Sequence, residues 1–396
     1  MMQISPETQL FIREHSSDDV RVLALQAKKY PDIDMPTAIT QIAGRKVAAE
    51  KIPSWWEIEK IWYPKHLSLE QCSSEITARY KARLLQGDSL TGLPGGFGID
   101  CSFLATGFKS ATYVERQEEL CEIAAHNFPV LNLNHINIKN EDGVTYLQAM
   151  SPVDCLFLDP ARRNEHGGKA VAISDCEPNV AELEELLLQK ANRVMIKLSP
   201  MLDLSLALKE LKQTQEVHIL SVNNECKELL ILLGQTSPTE ISIHCVNLST
   251  KGTQEEQHFV FTREQEQCSE CTYTDSLETY LYEPNASLLK AGAFRSIAAA
   301  YPVRKLHPNS HLYTSDTFIE NFPGRIFRIV NQCSFNKKEV KENLADLKKA
   351  NVTVRNFPAT VAELRKRIHL AEGGDTYLFA STLNNGQKVL IRCEKV

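Results

Sequence analysis

Between about residues 88 and 235 the chain alternates short apolar runs with segments whose apolar residues recur at helical spacing. Apolar runs of about four to eight residues predict buried strands, and a recurrence every three or four residues predicts helices. The predicted elements, in chain order, are the helix IDCSFLA, the strand SATYVE, the helix QEELCEIAAHNF, the strands INIKN and VDCLFLD, the helix VAELEELLLQKA, the strand RVMIKLS, the helix LDLSLALKEL, and the strands EVHILSV and KELLILLG. This alternation predicts an α/β domain with a doubly wound, largely parallel sheet.

The last two predicted strands are separated only by NNEC, which is too short for a crossover helix. We therefore expect them to pair as an antiparallel hairpin. A second hairpin is predicted for EISIHCVNLS and QHFVFTRE. A mostly parallel sheet with an antiparallel edge hairpin is similar to the Rossmann-like sheet of class I methyltransferases, and the topology favours that fold class.

The regions on either side have a different pattern. Residues 1–85 are mainly helical, and SLEQCSSEITARYKARLLQG is predicted to be one helix, capped by Ser68 and ending near Gly87. After about residue 275 the segments GRIFRIV, KKEVKENLADLKKA, VTVRNF, TVAELRKRIHL, GDTYLFAST and QKVLIRCE predict a β-α-β-α-β-β order. We expect one or two small α+β modules there, preceded by a helical N-terminal region and the large sheet.

Charge is distributed unevenly along the 396 residues. The net charge is −6, yet residues 281–396 carry 18 Lys and Arg against 10 Asp and Glu, a net +8 that leaves −14 for residues 1–280. A basic C-terminal part on an acidic body is typical of nucleic-acid contact, although solvated helix faces are an alternative. Eleven scattered cysteines and the lack of a long apolar segment indicate a cytoplasmic protein. Cys268 and Cys271 have metal-ligand spacing without a second pair, so no metal is predicted.

A glycine-rich loop, LTGLPGGFGID, precedes the first predicted helix of the α/β region. Gly95, Gly96 and Gly98 allow a backbone to approach a ligand closely. A dinucleotide fingerprint needs a third glycine where this chain has Cys101. Asp100 at the start of the helix suits a cationic ligand, and S-adenosylmethionine, with its ammonium and sulfonium groups, fits better than a pyrophosphate.

Two acids follow the next two predicted strands. Glu115 ends SATYVE, 17 residues after Gly98, where a carboxylate can accept hydrogen bonds from both ribose hydroxyls of a nucleoside cofactor. Asp142 follows INIKN, where it can accept a hydrogen bond from an adenine amine. The alternative interpretation of Asp142 and Gly143 is an ordinary turn.

The sequence LFLDPARRNEHGG places Asp159, Arg162 and Arg163 at the end of the fourth strand, where a methyl acceptor would lie. Asp159 and the carbonyl beside Pro160 can hold a donor group, and the two arginines can clamp phosphate or carboxylate. Structural ion pairs of the arginines with Asp159 or Glu165 are the alternative.

Several separated motifs together resemble one bacterial family of class I methyltransferases. They are EQCSSEITARYKA, GGFGID, YVE, FLDPARR, IKLSPMLD, YLYEPNASLLKAGAF and RNFPATVAELRKRIHLAEGGDTYLFAST. The resemblance spans nearly the whole chain. It implies an S-adenosylmethionine-binding domain at 86–274 after the helical region 1–85, a ferredoxin-like segment at 275–322, and a THUMP-like domain, related to RNA-binding modules, at 323–396.

The same resemblance implies roles for individual residues. Thr77 or Ser74 would face the methionine end of the cofactor, Gly95, Gly96 and Gly98 would form its loop, and Glu115, Asp142 and Gly143 would contact its nucleoside. Such loops usually start with an acid, but this chain has Thr91 or Gly92 in that register. Asp88 and Asp100 are then the candidates for the ammonium contact.

The acceptor motif departs from that of adenine amine methyltransferases, because Ala161 and Arg162 replace the second proline and the aromatic residue. Methylation of a pyrimidine carbon would need a nucleophilic cysteine, for which Cys155 and Cys176 are weak candidates. We expect a methyltransferase of ribosomal or transfer RNA that binds its substrate through the basic C-terminal module. The alternatives are a methyltransferase of a small molecule or protein, and an RNA-binding protein with a degenerate cofactor site.

Overall fold

The computed structural model describes residues 4–162, 172–236, 238–250 and 256–396. Its helices are α1 (Pro6–Glu14), α2 (Val20–Leu25), α3 (Met35–Lys51), α4 (Pro53–Trp56), α5 (His66–Gln71), α6 (Glu75–Ala82), α7 (Ile99–Ala105), α8 (Glu118–Val130), α9 (Gly143–Ala149), α10 (Val180–Lys190), α11 (Leu204–Glu210), α12 (Arg263–Cys268), α13 (Ala286–Ala291), α14 (Ser296–Ala300), α15 (Lys337–Leu344) and α16 (Val361–Ile368). Its strands are β1 (Ser89–Leu93), β2 (Ser110–Val114), β3 (Ile136–Lys139), β4 (Val153–Leu158), β5 (Ala161–Arg162), β6 (Cys176–Glu177), β7 (Ala191–Leu198), β8 (Thr214–Val222), β9 (Glu225–Gly234), β10 (Ser242–Leu248), β11 (Glu256–Thr262), β12 (Tyr280–Pro284), β13 (Arg304–Lys305), β14 (Tyr313–Ser315), β15 (Gly324–Ser334), β16 (Lys349–Val354), β17 (Ala371–Thr382) and β18 (Lys388–Lys395). No helix in these ranges is both long enough and apolar enough to cross a membrane.

The large sheet has the strand order β11-β10-β8-β9-β7-β4-β1-β2-β3. Strands β7, β4, β1, β2 and β3 are parallel, whereas β9 is antiparallel to β7, and β10 is antiparallel to β11. Asn223 and Asn224, with φ of 50° and 67°, form the two-residue connection between β8 and β9, as expected for a tight hairpin. The predicted fold class, a Rossmann-like class I methyltransferase sheet with an antiparallel edge hairpin, is confirmed.

Two elements near the candidate site were not predicted. Strand β1 has the sequence SLTGL, in which serine, threonine and glycine interrupt the apolar run, yet it is buried between β2 and β4. Helix α9 begins directly after Asp142, whose side chain accepts hydrogen bonds from the first turn. Both elements are short, so their local sequence signal is weak.

The helix predicted from Ser68 to Gly87 is interrupted, so that prediction was wrong. Helix α5 ends at Gln71, and Ser74 is the N-cap of the separate helix α6. Serine side chains compete with the helical backbone for hydrogen bonds and favour helix ends. The interruption also brings the Ser73 hydroxyl to Asp100, to which it donates at 2.7 Å.

The C-terminal region forms a second sheet, with the order β13-β14-β12-β15-β18-β17-β16. The predicted β-α-β-α-β-β order over the last modules is confirmed by β15, α15, β16, α16, β17 and β18. The long strand β15 pairs with β12 on one side and with β18 on the other, so all these strands share one sheet. Its core includes Leu281, Phe327 and Phe379, which are fully buried.

The chain divides into two compact units. One contains the residues up to 216 together with 229–239, and the other contains 217–228 and everything from 240 onward. The division therefore passes through β8 and β9. The candidate cofactor site lies within the first unit, and the C-terminal sheet lies within the second.

Candidate functional site

The predicted site residues collect at the carboxyl ends of parallel strands. Strand β1 leads into the glycine loop, β2 ends just before Glu115, and β4 ends just before Asp159. Because β1, β2 and β4 are parallel neighbours, these ends lie along one edge of the sheet. Ligands of open α/β sheets bind at that edge.

The glycine loop is packed tightly against β2. The Gly95 amide donates to the carbonyl of Val114 at 2.7 Å, and a Cβ on Gly95 would lie 2.0 Å from Cε2 of Tyr113. Only glycine therefore fits at position 95 without displacing the tyrosine ring. Gly98 has a φ of 88° and is the residue from which α7 starts. A left-handed conformation at the start of a helix favours glycine.

Glu115 is buried directly beside this loop, with 3% of its surface exposed. Its Oε2 accepts a hydrogen bond from the amide of Gly96 at 2.9 Å, and its Oε1 accepts one from the amide of Gln117 at 2.9 Å. The structure thus brings the predicted ribose acid and the glycine loop into direct contact. A carboxylate held by two backbone amides has a fixed orientation.

Asp142 and Gly143 lie at the start of α9. The exposed Asp142 carboxylate accepts hydrogen bonds from the amides of Thr145 at 2.9 Å and Val144 at 3.1 Å. These hydrogen bonds, the one from the Thr145 amide first, lower the pKa of Asp142 although its partial desolvation opposes them. Asp142 therefore caps helix α9. The alternative interpretation of Asp142 and Gly143 as an ordinary turn did not include this role.

Asp100 lies in a compact group of polar and charged side chains that we call the Asp100 cluster: Ser73, Lys81, Asp100, Asp159 and Lys197. Lys81 Nζ lies 2.8 Å from Asp100 Oδ1, and Lys197 Nζ lies 3.2 Å from Asp100 Oδ2. Lys197 Nζ also lies 2.5 Å from Asp159 Oδ2. The cluster holds two lysines and two carboxylates, so its formal charges cancel.

The two carboxyl groups of the Asp100 cluster differ in their pKa values. Burial alone would raise the pKa of Asp100, but the ion pairs with Lys81 and Lys197 and the hydrogen bonds from Lys81 and Ser73 outweigh it and hold that pKa well below its usual range. The pKa of Asp159 is raised, because desolvation and the charge of Asp100 outweigh its pairing with Lys197. Asp159 still exposes 38% of its side chain, so it remains accessible to a ligand.

Two residues expected at the methionine end of the cofactor occupy different surroundings. Thr77 is buried on α6, and its hydroxyl donates to the carbonyl of Ser74 at 3.0 Å. Asp88 precedes β1 and is exposed, paired with Lys109 at 2.9 Å. It therefore lies at the end of β1 opposite to the glycine loop, and its expected contact with the cofactor ammonium is wrong.

The acceptor motif continues β4 into a short strand. Residues 161 and 162 form β5, which pairs with β6 at Cys176 and Glu177. Arg163 and Glu165 lie outside the described residues, and of Arg162 only the backbone is described. Cys155 lies inside β4, where burial raises the pKa of its thiol to about 11, so it is a poor nucleophile.

Three residues of the Asp100 cluster were missed from the sequence: Ser73, Lys81 and Lys197. Lys197 had a usable signal, because it interrupts the apolar strand segment RVMIKLS, and a lysine in a buried strand needs a partner. Lys81 had no such signal, because a lysine in a short helix normally faces solvent. Its complete burial depends on the packing of α6 against α7.

Comparisons with known proteins agree with this architecture. The chain matches a ferredoxin-like domain over residues 280–323 and a THUMP-like domain over residues 324–395. A crystal structure of a "putative methyltransferase" from Porphyromonas gingivalis W83 is 34% identical, covers 100% of both chains, and has a TM-score of 0.87. The chain belongs to this methyltransferase family. The family suspected from the sequence motifs is thereby confirmed.

Two further solved structures are similar to a smaller share of the chain. A ribosomal RNA methylase from Streptococcus thermophilus is 13% identical, covers 40% of this chain and 93% of its own, and has a TM-score of 0.30. A Streptococcus mutans protein in complex with S-adenosylhomocysteine is 12% identical, covers 40% of this chain and 95% of its own, and also has a TM-score of 0.30. No curated protein matches the chain.

Proposed function

We propose that the protein transfers a methyl group from S-adenosylmethionine to RNA, with ribosomal or transfer RNA as the substrate. The observation that carries the cofactor assignment is the buried carboxylate of Glu115, held by the Gly96 and Gln117 amides at the end of β2. At this strand end an acid can accept hydrogen bonds from ribose hydroxyls. The proposal also divides the chain into four regions. They are a helical region at 1–85, an S-adenosylmethionine-binding domain at 86–274, a ferredoxin-like segment at 275–322 and a THUMP-like domain at 323–396.

The residues present fit the nucleoside part of this cofactor. Gly96 leaves open space where a side chain would project, because a Cβ built there meets no atom within 4 Å. Glu115 lies beside it, and Asp142 and Gly143 follow the neighbouring strand β3. Gly95, Gly96 and Gly98 would hold the loop against the cofactor, and Thr77 would support the helix next to it.

The ammonium group of the cofactor has no simple partner in Asp100, because Lys81 and Lys197 already balance that carboxylate. A third cation beside Asp100 would lie close to two ammonium groups, which like-charge repulsion opposes. We therefore assign Asp100 to positioning Lys197, and through Lys197 to positioning Asp159. In this proposal Asp100 does not bind the cofactor directly, and it acts only through Lys197 and Asp159.

Asp159 is the residue that we place beside the methyl acceptor. The bound cofactor would supply an electrophilic methyl group on sulfur, and the chain must align an acceptor opposite the sulfur. Asp159 is accessible and has a raised pKa, so its carboxylate can orient a donor hydrogen of the acceptor and take up a proton that the acceptor releases. Arg162 and Arg163 would supply positive charge to an anionic substrate.

The proposed RNA contact rests on the C-terminal sheet. The match to a THUMP-like domain covers residues 324–395, and THUMP-like domains are related to RNA-binding modules. Helix α15 carries three exposed lysines within two turns, Lys337, Lys338 and Lys341. Exposed ammonium groups attract phosphate and release counterions from RNA. RNA as substrate would also place the protein in the cytoplasm, where its cysteines, all free in the structure, are stable as thiols.

The direct test is methyl transfer from isotope-labelled S-adenosylmethionine to total RNA from a strain that lacks the gene. We expect label in RNA from the deletion strain and little label in wild-type RNA, whose positions are already methylated. Digestion to nucleosides then identifies the acceptor. Equal labelling of both RNAs, or none, would contradict RNA as the substrate.

A second candidate is a methyltransferase of a small molecule or protein, favoured by the net charge of −14 over residues 1–280. It shares the cofactor site and differs only in the acceptor. Labelled cofactor incubated with the protein fraction and the metabolite fraction of the deletion strain distinguishes the two. A third candidate, an RNA-binding protein with a degenerate cofactor site, predicts no calorimetric binding of S-adenosylhomocysteine.

A further inference from the structure

The glycine loop contains one large apolar side chain, Phe97, between Gly96 and Gly98. The Gly98 amide donates to the carbonyl of Gly95 at 3.0 Å, which closes a tight turn with Phe97 in its third position. Gly96 and Gly98 have φ values of 54° and 88°, a conformation that glycine adopts readily. Phe97 itself is only 4% exposed. The loop is therefore anchored by a buried residue that the proposed cofactor contacts do not use.

The Phe97 ring packs against side chains of the N-terminal helical region. Its centroid lies 5.2 Å from that of Trp55 on α4, in an edge-to-face arrangement, and 6.4 Å from that of Tyr63. Ile52 and Ile61 belong to the same buried cluster. Edge-to-face aromatic pairs at such distances stabilise a structure beyond the burial of their surface. All four of these residues precede residue 86, where the cofactor-binding domain was expected to begin.

The surface that receives this ring is held by hydrogen bonds within the helical region. Gln41 on α3 donates through Nε2 to the carbonyl of Tyr63 at 2.9 Å, and its Oε1 accepts from the amide of the same residue at 2.9 Å. Both residues are buried. In α4 the amide of Ser54 donates to Oε2 of Glu75 at 2.8 Å. The backbone beside both aromatic partners of the ring is thereby fixed.

On its other side the loop is held by β2 and by the residue that follows it. The amide of Gly95 donates to the carbonyl of Val114, and the amide of Gly96 donates to the carboxylate of Glu115. A glycine-rich segment has many accessible conformations when nothing restrains it. A ligand that binds only one of them has its apparent affinity reduced by the fraction of molecules in that conformation. An anchor on the side away from the ligand raises this fraction.

We infer that Phe97 is a positioning residue for the cofactor, and that the helical region that receives its ring is therefore part of the cofactor site. The inference rests on the proposed S-adenosylmethionine site. Phe97 does not contact the cofactor in this arrangement. Its packing against Trp55 and Tyr63 keeps the amide of Gly96 at the carboxylate of Glu115, so that the loop has its binding conformation before the ligand arrives.

The test measures the binding of S-adenosylhomocysteine to full-length Phe97→Leu by isothermal titration calorimetry. Leucine keeps the apolar character of the position but removes the ring. We expect binding to be about tenfold weaker, as it would be if about one molecule in ten held the loop in its binding conformation. The amides of residues 95–98 should also exchange their hydrogens faster in this variant than in the unaltered chain.

Phe11→Leu is the matched control. Phe11 is 5% exposed, packs edge-to-face on Tyr30 at 4.8 Å, and belongs to a separate cluster of the same helical region. This variant should lose a similar amount of stability, yet it should bind S-adenosylhomocysteine within about twofold of the unaltered chain, because distant sites act independently. Circular dichroism checks that each variant folds, and Trp55→Phe provides the readout if Phe97→Leu does not fold.

Two outcomes would overturn the inference, and they differ in what they say about the cofactor. If the unaltered chain binds S-adenosylhomocysteine and folded Phe97→Leu, or Trp55→Phe in its place, binds as tightly as Phe11→Leu, only the positioning role is wrong. If the unaltered chain does not bind the ligand, the proposed cofactor site is wrong and the positioning role is wrong with it.

Discussion

The lysines considered in the two compact units differ in their burial and in their roles. In the first unit, Lys81 and Lys197 are buried and each lies within 3.2 Å of a carboxylate oxygen. In the second unit, Lys337, Lys338 and Lys341 are exposed along one helix. A buried charge that loses its partner destabilises the fold, whereas an exposed lysine contributes little to stability and remains available to a ligand. The difference indicates which cations organise the site and which can meet a substrate.

Among the substitutions that test this difference between buried and exposed lysines, Asp100→Asn is expected to have the largest effect. This change leaves two buried ammonium groups without their common carboxylate, and we expect it to lower the free energy of unfolding by about 3–5 kcal/mol. Denaturant unfolding followed by circular dichroism measures the effect. Asp88→Asn is the control, because it removes the same group from an exposed pair with Lys109 and should cost less than about 1 kcal/mol. Equal losses in the two variants would contradict a stabilising Asp100 cluster.

The stability difference between the unaltered chain and Asp100→Asn should depend on pH. The folded-state pKa of Asp100 lies well below the ordinary value of an aspartate, so folding favours the charged form. The stabilising contribution is therefore fully present above about pH 4 and decreases as pH falls toward the lowered folded-state pKa. Unfolding curves measured from neutral pH down into acid should show the two proteins converging at the acid end. A constant difference across this range would rule out the ionised Asp100 as its cause.

Glu115→Gln tests the cofactor side of the same unit. Replacing a carboxylate that accepts hydrogen bonds from a ligand costs about 1.5–3 kcal/mol, so the affinity for S-adenosylhomocysteine should fall by about tenfold to a hundredfold. Isothermal titration calorimetry measures it. Glu119→Gln on α8, whose carboxylate lies 2.8 Å from the exposed Lys65, should bind normally. Unchanged affinity in folded Glu115→Gln would contradict the cofactor assignment, because that assignment depends on the Glu115 carboxylate.

The smallest effect is expected from replacing Lys337, Lys338 and Lys341 together by glutamine. Folding should be unchanged, but the dependence of RNA affinity on salt should weaken by up to about 0.7–0.9 in log–log slope for each phosphate that a lysine no longer neutralises. Filter binding at several salt concentrations gives that slope. Lys28→Gln with Lys29→Gln, two exposed lysines of the first unit, is the control. An unaltered slope in the triple variant would place the RNA-binding surface elsewhere.

Much of the fold was predictable because its elements have clear periodicity. The run VDCLFLD became β4, and the NNEC connection correctly predicted the β8–β9 hairpin. Strand β1 was missed because SLTGL has few apolar residues and becomes a strand only between β2 and β4. The local sequence of a strand does not show which strands will lie beside it in the sheet.

The candidate site was predictable only in part, for a related reason. Glu115 and Asp159 follow recognisable strands, so their position at the sheet edge could be anticipated. The ion pairs of Lys81 and Lys197 could not, because they join α6, α7, β4 and β7, which are distant in sequence. From its charge alone, Asp100 was expected to contact a cationic ligand. In the folded structure its carboxylate instead pairs with Lys81 and Lys197.

The path of the chain through β8 and β9 has a consequence for how the protein is made. The chain leaves the first unit after residue 216, returns at 229 and leaves again after 239. During synthesis, the first unit cannot gain its last strand until the turn at Asn223 and Asn224 and part of the second unit have left the ribosome. Domains usually fold as units in the order of their synthesis. Here the interleaved path makes completion of the first unit wait for a stretch of the second, and no single cut in the gene separates the two.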